Sequence, residues 1–581
     1  MLRRWDEPRS SPDPRRARAV ALLCLAALLL PAAAGARGAR PLVALGARAP
    51  GADSAQAARP AKPLKPSKPA VSVKAAKSPK SAKPGKAGPG AATAPRTGLE
   101  NLEAQVQSFT LPNGLRFIVV ERHAAPVFSF ETVVNSGSAD DGLGTTGLAH
   151  MMEHMAFKGT AIVGTRDYRD EKPLLDREEA AWQALLDERR RGAHADSSRL
   201  RTLERAFADA QAASHADVVS NEFQKVIEQA GAQNWNASTR NDFTDYFYSL
   251  PSNRLELWAL MEGGRMGHPV FREFYKERDV VYEERRMRTE SSPVGRLVDE
   301  FIHAAFVAHP YGFGGIGYPS DLRSFTRTQG EEFFRRHYVA KNMTVALVGD
   351  VATPEVRTVA EKYFGDLSDA PLPPPIDTVE PEQHAERRVI LEDPAQPFVI
   401  LGWHIPAAGD PRYPAYEALA DLLGGGDWAR LNKTLVKDRK IAVRIQCGTG
   451  FPGAKYPNLF VIFIVPAAGQ DPLKVEQAVY DVLDEIQTRK PFSADELAGY
   501  KVRVRADKIE TAADNAQLAG TLAQAQALYG DWHEFFRGQE RVQALTTADL
   551  MSAMKGSMVR GNRTVGVIVN PAAASASTGG R

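Results

Sequence analysis

Cysteine is almost absent: the 581 residues hold two, Cys24 and Cys447. Cys24 lies in an apolar run near the N-terminus and lacks the small residues that precede a lipid-modified cysteine, which argues against lipidation. If that segment is removed on export, Cys447 stands alone. No intrachain disulfide is then possible, and the fold must rest on packing and metal. A bilayer-spanning stretch is missing too, since the apolar run 19–30 has twelve residues, too few to cross a membrane as a helix. Arg15, Arg16 and Arg18 precede that run, and Ala32, Ala33, Ala34 and Ala36 follow it. This is the layout of a cleavable export signal over 1–36, so a periplasmic or secreted protein is expected. The alternative is an uncleaved anchor, suggested by the long segment before the run with Asp6, Glu7 and Asp13.

Large apolar residues are nearly absent from 37–100, which is built of Ala, Pro, Lys and Ser. Such a stretch cannot offset the entropy of ordering and is expected to be an extended, Pro-stiffened linker. It also has no interleaved aromatics to stack bases, so nucleic acid is not an expected partner. The basic charge is confined there: residues 1–100 carry 19 Lys and Arg against 5 Asp and Glu, and the rest 54 against 65. The folded part is therefore mildly acidic.

What remains is long enough for two domains. Alternating apolar residues in "LRFIVVE" and "FSFETVV" predict strands, and "SLPSNRLELWALMEGGRM" predicts a helix, giving an α+β chain. "KNMTVALVGD" from Lys341 matches "GNRTVGVIVN" from Gly561, which places Asn342 and Asn562 220 positions apart. Two homologous domains are expected, 101–372 and 380–575, with the Pro-rich run from Ala370 as the hinge. Each is expected to be a mixed, mainly antiparallel sheet packed by helices, the pair forming a clamshell. Within the first, 161–220 is highly charged, with apolar stripes at Leu174, Leu175, Trp182, Leu185 and Leu186 and at Leu200, Leu203 and Phe207. A helical hairpin insertion is expected there.

The segment "GTTGLAHMMEHMAFKGT" holds His150, Glu153 and His154 in the order H-x-x-E-H. Positions i and i+4 share one helical face, so both imidazoles can reach one tetrahedral zinc. Glu153 projects beside them, where a carboxylate can take a proton from an activated water. A lone histidine in a helix is usually a packing or surface residue; the spacing is what points to a metal. A hydrolytic zinc site needs a third protein ligand. "FYKERDVVYEERRMRTE" offers Glu277 and Glu284, two turns apart on one face, although such a charged helix is by composition more often a solvated face.

The inverted motif resembles that of the pitrilysin/insulinase/mitochondrial processing peptidase superfamily. "NASTRNDFTDYFYSLP" from Asn236, "ERDVVYEE" from Glu277 and "HPYGFGGIG" from His309 resemble it further, in the right order. The resemblance implies a zinc metalloendopeptidase with one Zn2+ per chain, ligated by His150, His154 and Glu284. Glu153 would be the general base, and Glu277 a second acidic residue supporting the site. Asn236, Ala237 and Ser238 would lie on a strand edge that pairs with extended peptide substrate. The family's distal glutamate follows its second histidine by about 75 residues, whereas 130 residues separate His154 from Glu284. The helical hairpin accounts for the surplus, looped out at modest entropic cost. Arg278 and Asp279 read as surface charges on the helix.

The second half has no H-x-x-E-H; Arg503 falls near the position of Glu284, so no zinc is expected there. Active single-chain relatives carry an Arg and a Tyr seven residues apart opposite the zinc. The matching stretch, "RLNKTLVKDRKIAVRI" from Arg430, has Val436 and Val443 at those places. The resemblance thus points to the two-chain members, in which a homologous subunit supplies the Arg/Tyr pair. The rival reading is a zinc-retaining scaffold subunit without proteolytic activity.

Overall fold

The computed structural model describes residues 98–571. The expected export signal and nearly all of the expected linker lie outside the described residues. The end of that stretch already belongs to a helix, Gly98–Glu103, whose Leu102 is buried.

Two sheets organise the chain. The first comprises β1 (Gln107–Thr110), β2 (Arg116–Glu121), β3 (Val127–Val134), β4 (Gln233–Thr239), β5 (Thr244–Pro251) and β6 (Met343–Gly349), in the order β1-β2-β6-β3-β5-β4. The second comprises β7 (Arg387–Glu392), β8 (Phe398–Ile405), β9 (Ala442–Phe451), β10 (Asn458–Pro466) and β11 (Arg563–Val569), in the order β7-β11-β8-β10-β9. Without β1 the two orders superpose strand for strand. β2 pairs parallel with β6 and β7 parallel with β11, and every other neighbour is antiparallel. The repeated segments read from the sequence are β6 and β11, an inner strand of each sheet.

Each sheet is covered on both faces, which is why β6 is buried at all seven positions rather than at alternate ones. One face of the first sheet packs Phe117, Phe128, Phe130, Tyr246 and Leu347 against helices of the same half. Its other face carries Ile118, Val133, Ala346 and Val348. This face is covered by Leu518, Ala519, Leu522 and Ala523 of the helix Asn515–Tyr529, which comes from the second half. The exchange is reciprocal. Leu297, Phe301, Ile302 and Ala305 of the helix Pro293–Ala305, from the first half, cover Ile400, Val461 and Ile568 of the second sheet. Gly402 and Gly566 make room for Phe301, since a Cβ on Gly402 would sit 2.7 Å from its ring. The backbone of β8 can therefore approach the helix closely.

Between β3 and β4 the chain forms the helix Leu148–Met155 and then two longer helices, Tyr168–Arg190 and Ser197–Ser214, packed against each other as a hairpin. The turn between them is closed by Asp196, which accepts from the backbone N–H of Ser198 and Arg199 and caps the second helix.

Candidate metal centre

The helix Leu148–Met155 is short, and its start is pinned from outside. Gly147 takes φ of 97° while passing so close to the Ile316 carbonyl that a Cβ would lie 2.3 Å from it. Asp141 then accepts from the N–H of Gly147 and Ala149 at 2.7 and 2.9 Å, satisfying amides that the first turn leaves unpaired. Leu148, Met151, Met152 and Met155 anchor the helix in the core. Its remaining face presents His150, Glu153 and His154 to β4 and to the helix Phe274–Arg285.

His150, His154 and Glu284 converge: one ligand atom from each lies within 4.8 Å of the others. Glu284 Oε2 is 3.7 Å from His150 Nε2 and 3.5 Å from His154 Nε2. Donors bonded to a tetrahedral zinc at 2.0–2.1 Å lie about 3.4 Å apart, so the set fits that ion. The two imidazoles stand edge to face, with centroids 4.9 Å apart and planes at 89°. His154 Nδ1 donates to Glu277 Oε2 at 3.4 Å. This fixes the tautomer that leaves Nε2 free for a metal. The other oxygen of Glu277 accepts from Lys158 Nζ at 2.5 Å, and Lys158 also reaches Glu273 at 3.3 Å. Arg288, in the π-helical turn Arg286–Glu290, holds Glu284 Oε1 at 2.6 Å and leaves Oε2 toward the histidines.

The electrostatics call for a cation between these groups. Burial pushes the His150 imidazole below its usual value. Burial acts the same way on His154, but its hydrogen bonds to Glu277 and Glu284 outweigh this and push it up to about 9. Burial would raise both carboxyls, yet contact with His154 holds Glu277 and Glu284 down to about 2. A proton on His154 stands where a metal would place its charge.

Glu153 does not join the ligand cluster. Its Oε2 accepts from Thr239 Oγ1 at 2.6 Å, so the last residue of β4 meets the histidine helix. Asn236, Ala237 and Ser238 lie on β4, which is the edge of its sheet and pairs only with β5. Ala237 is buried, Ser238 half-buried and Asn236 exposed. The residues that sequence reasoning passed over here are Thr239, Lys158 and Arg288. Thr239 lies within the quoted "NASTRNDFTDYFYSLP", but no spacing rule ties a strand-end threonine to a helix 86 residues earlier.

Arg278 departs from its reading as a surface charge. It is 8% exposed, and its guanidinium lies 4.2 Å from the ring centroid of Trp182 in the hairpin. The insertion covers a helix face that would otherwise meet solvent. Asp279 does stay exposed.

In the second half the helices Tyr413–Gly424 and Ala494–Ala513 bring Asp421 and Arg503 into an ion pair. Among the described residues, no metal-competent cluster other than His150, His154 and Glu284 occurs. Val436 packs against the second core, and Val443 on β9 is 60% exposed.

A five-stranded order shared by both sheets, exchanged helices and an inverted H-x-x-E-H helix facing a distal glutamate give a two-domain fold similar to that of M16 peptidase structures. The pattern of Insulinase (Peptidase family M16) matches residues 116–171, and that of the Peptidase M16 inactive domain matches 324–503. Both patterns are of M16 peptidases, and each matches part of the chain. The Helicobacter pylori protein named Zinc protease PqqE is 26% identical over 427 residues, covering 72% of this chain and 82% of that protein. A crystal structure of a protease from Helicobacter pylori aligns with TM-score 0.67 and 23% identity, covering 80% of this chain and 99% of that one. The periplasmic protease PqqL from Escherichia coli aligns with TM-score 0.60 and 17% identity, over 83% of this chain but 49% of that one.

Proposed function

We propose that the protein is an exported zinc-dependent endopeptidase and the zinc-bearing subunit of a heterodimer. The observation that carries this reading is the convergence of His150 Nε2, His154 Nε2 and Glu284 Oε2 beside a glutamate that is not a ligand. Zinc, when bound, supplies a Lewis acid for the scissile carbonyl and lowers the pKa of a water toward neutrality. Glu153, held by Thr239, takes the proton of the attacking water and delivers it to the departing amine. Extended substrate pairs with the open edge of β4 through main-chain hydrogen bonds at Asn236, Ala237 and Ser238. His154 keeps its orientation through Glu277, and Glu277 through Lys158.

In this reading 101–372 is the zinc-bearing domain, with its insertion at about 161–220, and 380–575 is the homologous domain without metal. The duplicated strand order supports the division, and the insulinase pattern falls on the half with H-x-x-E-H, whereas the inactive-domain pattern, 324–503, begins in that half and continues into the other. The heterodimer is supported by Val436 and Val443, neither of which can donate a hydrogen bond where relatives carry Arg and Tyr.

The test is zinc content together with cleavage of a quenched fluorescent peptide library. One zinc per chain, weak cleavage alone and a rise in activity on adding the homologous partner are expected. Zinc retention without cleavage in any combination would instead establish the scaffold.

A further inference from the structure

The inserted hairpin reaches the metal site through two contacts that meet on the carboxylate helix. At the first, Glu171, in the opening turn of Tyr168–Arg190, accepts from Arg272 Nε at 2.8 Å and Nη2 at 3.1 Å. Arg272 stands just before the helix Phe274–Arg285, and both side chains are essentially inaccessible, at 0% and 1%. The same guanidinium donates to the carbonyls of Lys158, Val163 and Thr160 at 2.5, 2.9 and 2.7 Å. All five of its N–H groups are thereby used. Gly159 and Gly164 let the loop wrap around it, since Cβ atoms there would lie 3.1 and 2.7 Å from Nη1. The loop so held is the one that carries Lys158, whose ammonium holds Glu277 against His154.

At the second contact, Trp182 of the hairpin packs on Tyr275 and Arg278, which lie two residues before and one residue after Glu277. Ring centroids of Trp182 and Tyr275 are 5.2 Å apart, and Phe207 from the other arm of the hairpin closes on Tyr275 at 5.2 Å. Arg278 stacks over the Trp182 ring, a desolvated cation–π contact. Glu179 receives the Tyr275 hydroxyl and the Thr328 hydroxyl, the latter at 2.7 Å. These contacts grip the face of the helix opposite the one that offers Glu277 and Glu284.

We propose that the hairpin is a brace for the metal site, and that Glu171 and Trp182 are positioning residues for Glu277 and Glu284. It rests on the proposed zinc site. A ligand helix held on only one side can rotate, and a rotation of one residue carries Glu284 away from both histidines. Holding a ligand in place from the outer shell is typically worth on the order of 10- to 100-fold in metal affinity.

The experiment uses the full chain in the wild type and in Glu171→Gln, Trp182→Leu and Trp182→Phe. Zinc affinity is measured by competition with a chelating dye, and site geometry from the ligand-field spectrum of the cobalt-substituted protein. Glu171→Gln and Trp182→Leu are expected to weaken zinc binding on the order of tenfold or more and to alter the cobalt spectrum. Trp182→Phe, which keeps a ring under Arg278, is expected to retain both. If a variant does not fold, Tyr275→Phe, which removes the hydroxyl contacts to Glu179 and to the Arg327 N–H, is measured in its place and is expected to weaken zinc binding and alter the cobalt spectrum. Lowered thermal stability with unchanged zinc affinity and cobalt spectrum would overturn the brace and leave the hairpin a structural appendage. A wild-type chain that binds no zinc defeats the proposed function itself, and shows this before any variant is made.

Discussion

Thr239 Oγ1 lies 2.6 Å from Glu153 Oε2, so the edge strand of the first sheet and the histidine helix share one hydrogen bond beside the proposed metal site. Thr244 Oγ1 lies 3.5 Å from the Thr239 hydroxyl and donates to the Ser136 carbonyl at 3.0 Å. The general base proposed here is thus aimed by the strand on which the proposed substrate would lie. Thr239→Val is expected to lower kcat on the order of ten- to a hundredfold with a smaller change in KM, because the base loses its orientation while the strand edge stays. Thr239→Ser should restore most of it. Steady-state kinetics on one fluorogenic peptide checks both, and equal kcat for valine and threonine would remove Thr239 from the mechanism.

Glu153 and Glu284 should separate by what each loses. Glu153→Gln is expected to keep zinc and lose turnover by at least about a hundredfold. Glu284→Gln is expected to lose zinc itself on dialysis, since a neutral amide replaces the carboxylate held by Arg288 and facing both histidines. Metal analysis of the two dialysed variants beside their rates decides the assignment. One zinc per chain in Glu284→Gln would require another third ligand.

Chelation should act on stability as well as on activity. Without metal, Glu277, Glu284 and Glu153 crowd two imidazoles, offset by Lys158, Arg288 and the proton on His154. Bound metal stabilises the folded state by mass action. Removing it is expected to lower the unfolding temperature, and added zinc to restore it. Calorimetry of the apo and reloaded protein reads this directly.

Stability should also fall as pH rises, through a buried carboxyl that is not a proposed ligand. Glu131 lies under the exchanged helix Asn515–Tyr529, where it accepts from Gln524 at 2.8 Å. Burial, followed by the charge of Asp245, pushes its carboxyl up from 4.5 to about 8. The folded chain then holds a proton that the unfolded chain has released above pH 4.5. The contribution is intact below that value and is lost as pH rises through about 8. Glu131→Gln should flatten this decline in the denaturation midpoint. Asp245, pushed up to about 7 by burial, would retain part of it. An unchanged pH slope would mean Glu131 is ionised in place.

The exchanged helices should be integral to the fold. Phe301 is fully buried between its own helix and Gly402 and Gly566 of the second sheet. Phe301→Ala is expected to cost about 3–5 kcal/mol, because the cavity has β-sheet backbone on one side and cannot collapse. Chemical denaturation measures it. A loss under about 1 kcal/mol would show that the helix can leave the sheet freely.

The sequence alone determined whatever depends on short-range periodicity. His150, Glu153 and His154 share one turn, and Glu277 and Glu284 share one helical face, so helix geometry by itself brings each set to a common side. The 220-residue repeat marked β6 and β11 as equivalent because both lie inside their sheets, where burial on two faces leaves a continuous apolar run. Only the tertiary structure decided that these helices face each other and that Arg278 is buried. It alone set Thr239 on Glu153 and Lys158 on Glu277, and it alone placed one helix of each half on the other half's sheet. Those outcomes depend on which surfaces meet after the chain has folded over intervals of 86, 119 and more residues. An amphipathic helix specifies that it must bury a face, not which sheet will cover it. Pro293–Ala305 and Asn515–Tyr529 each bury theirs on the other half's strands.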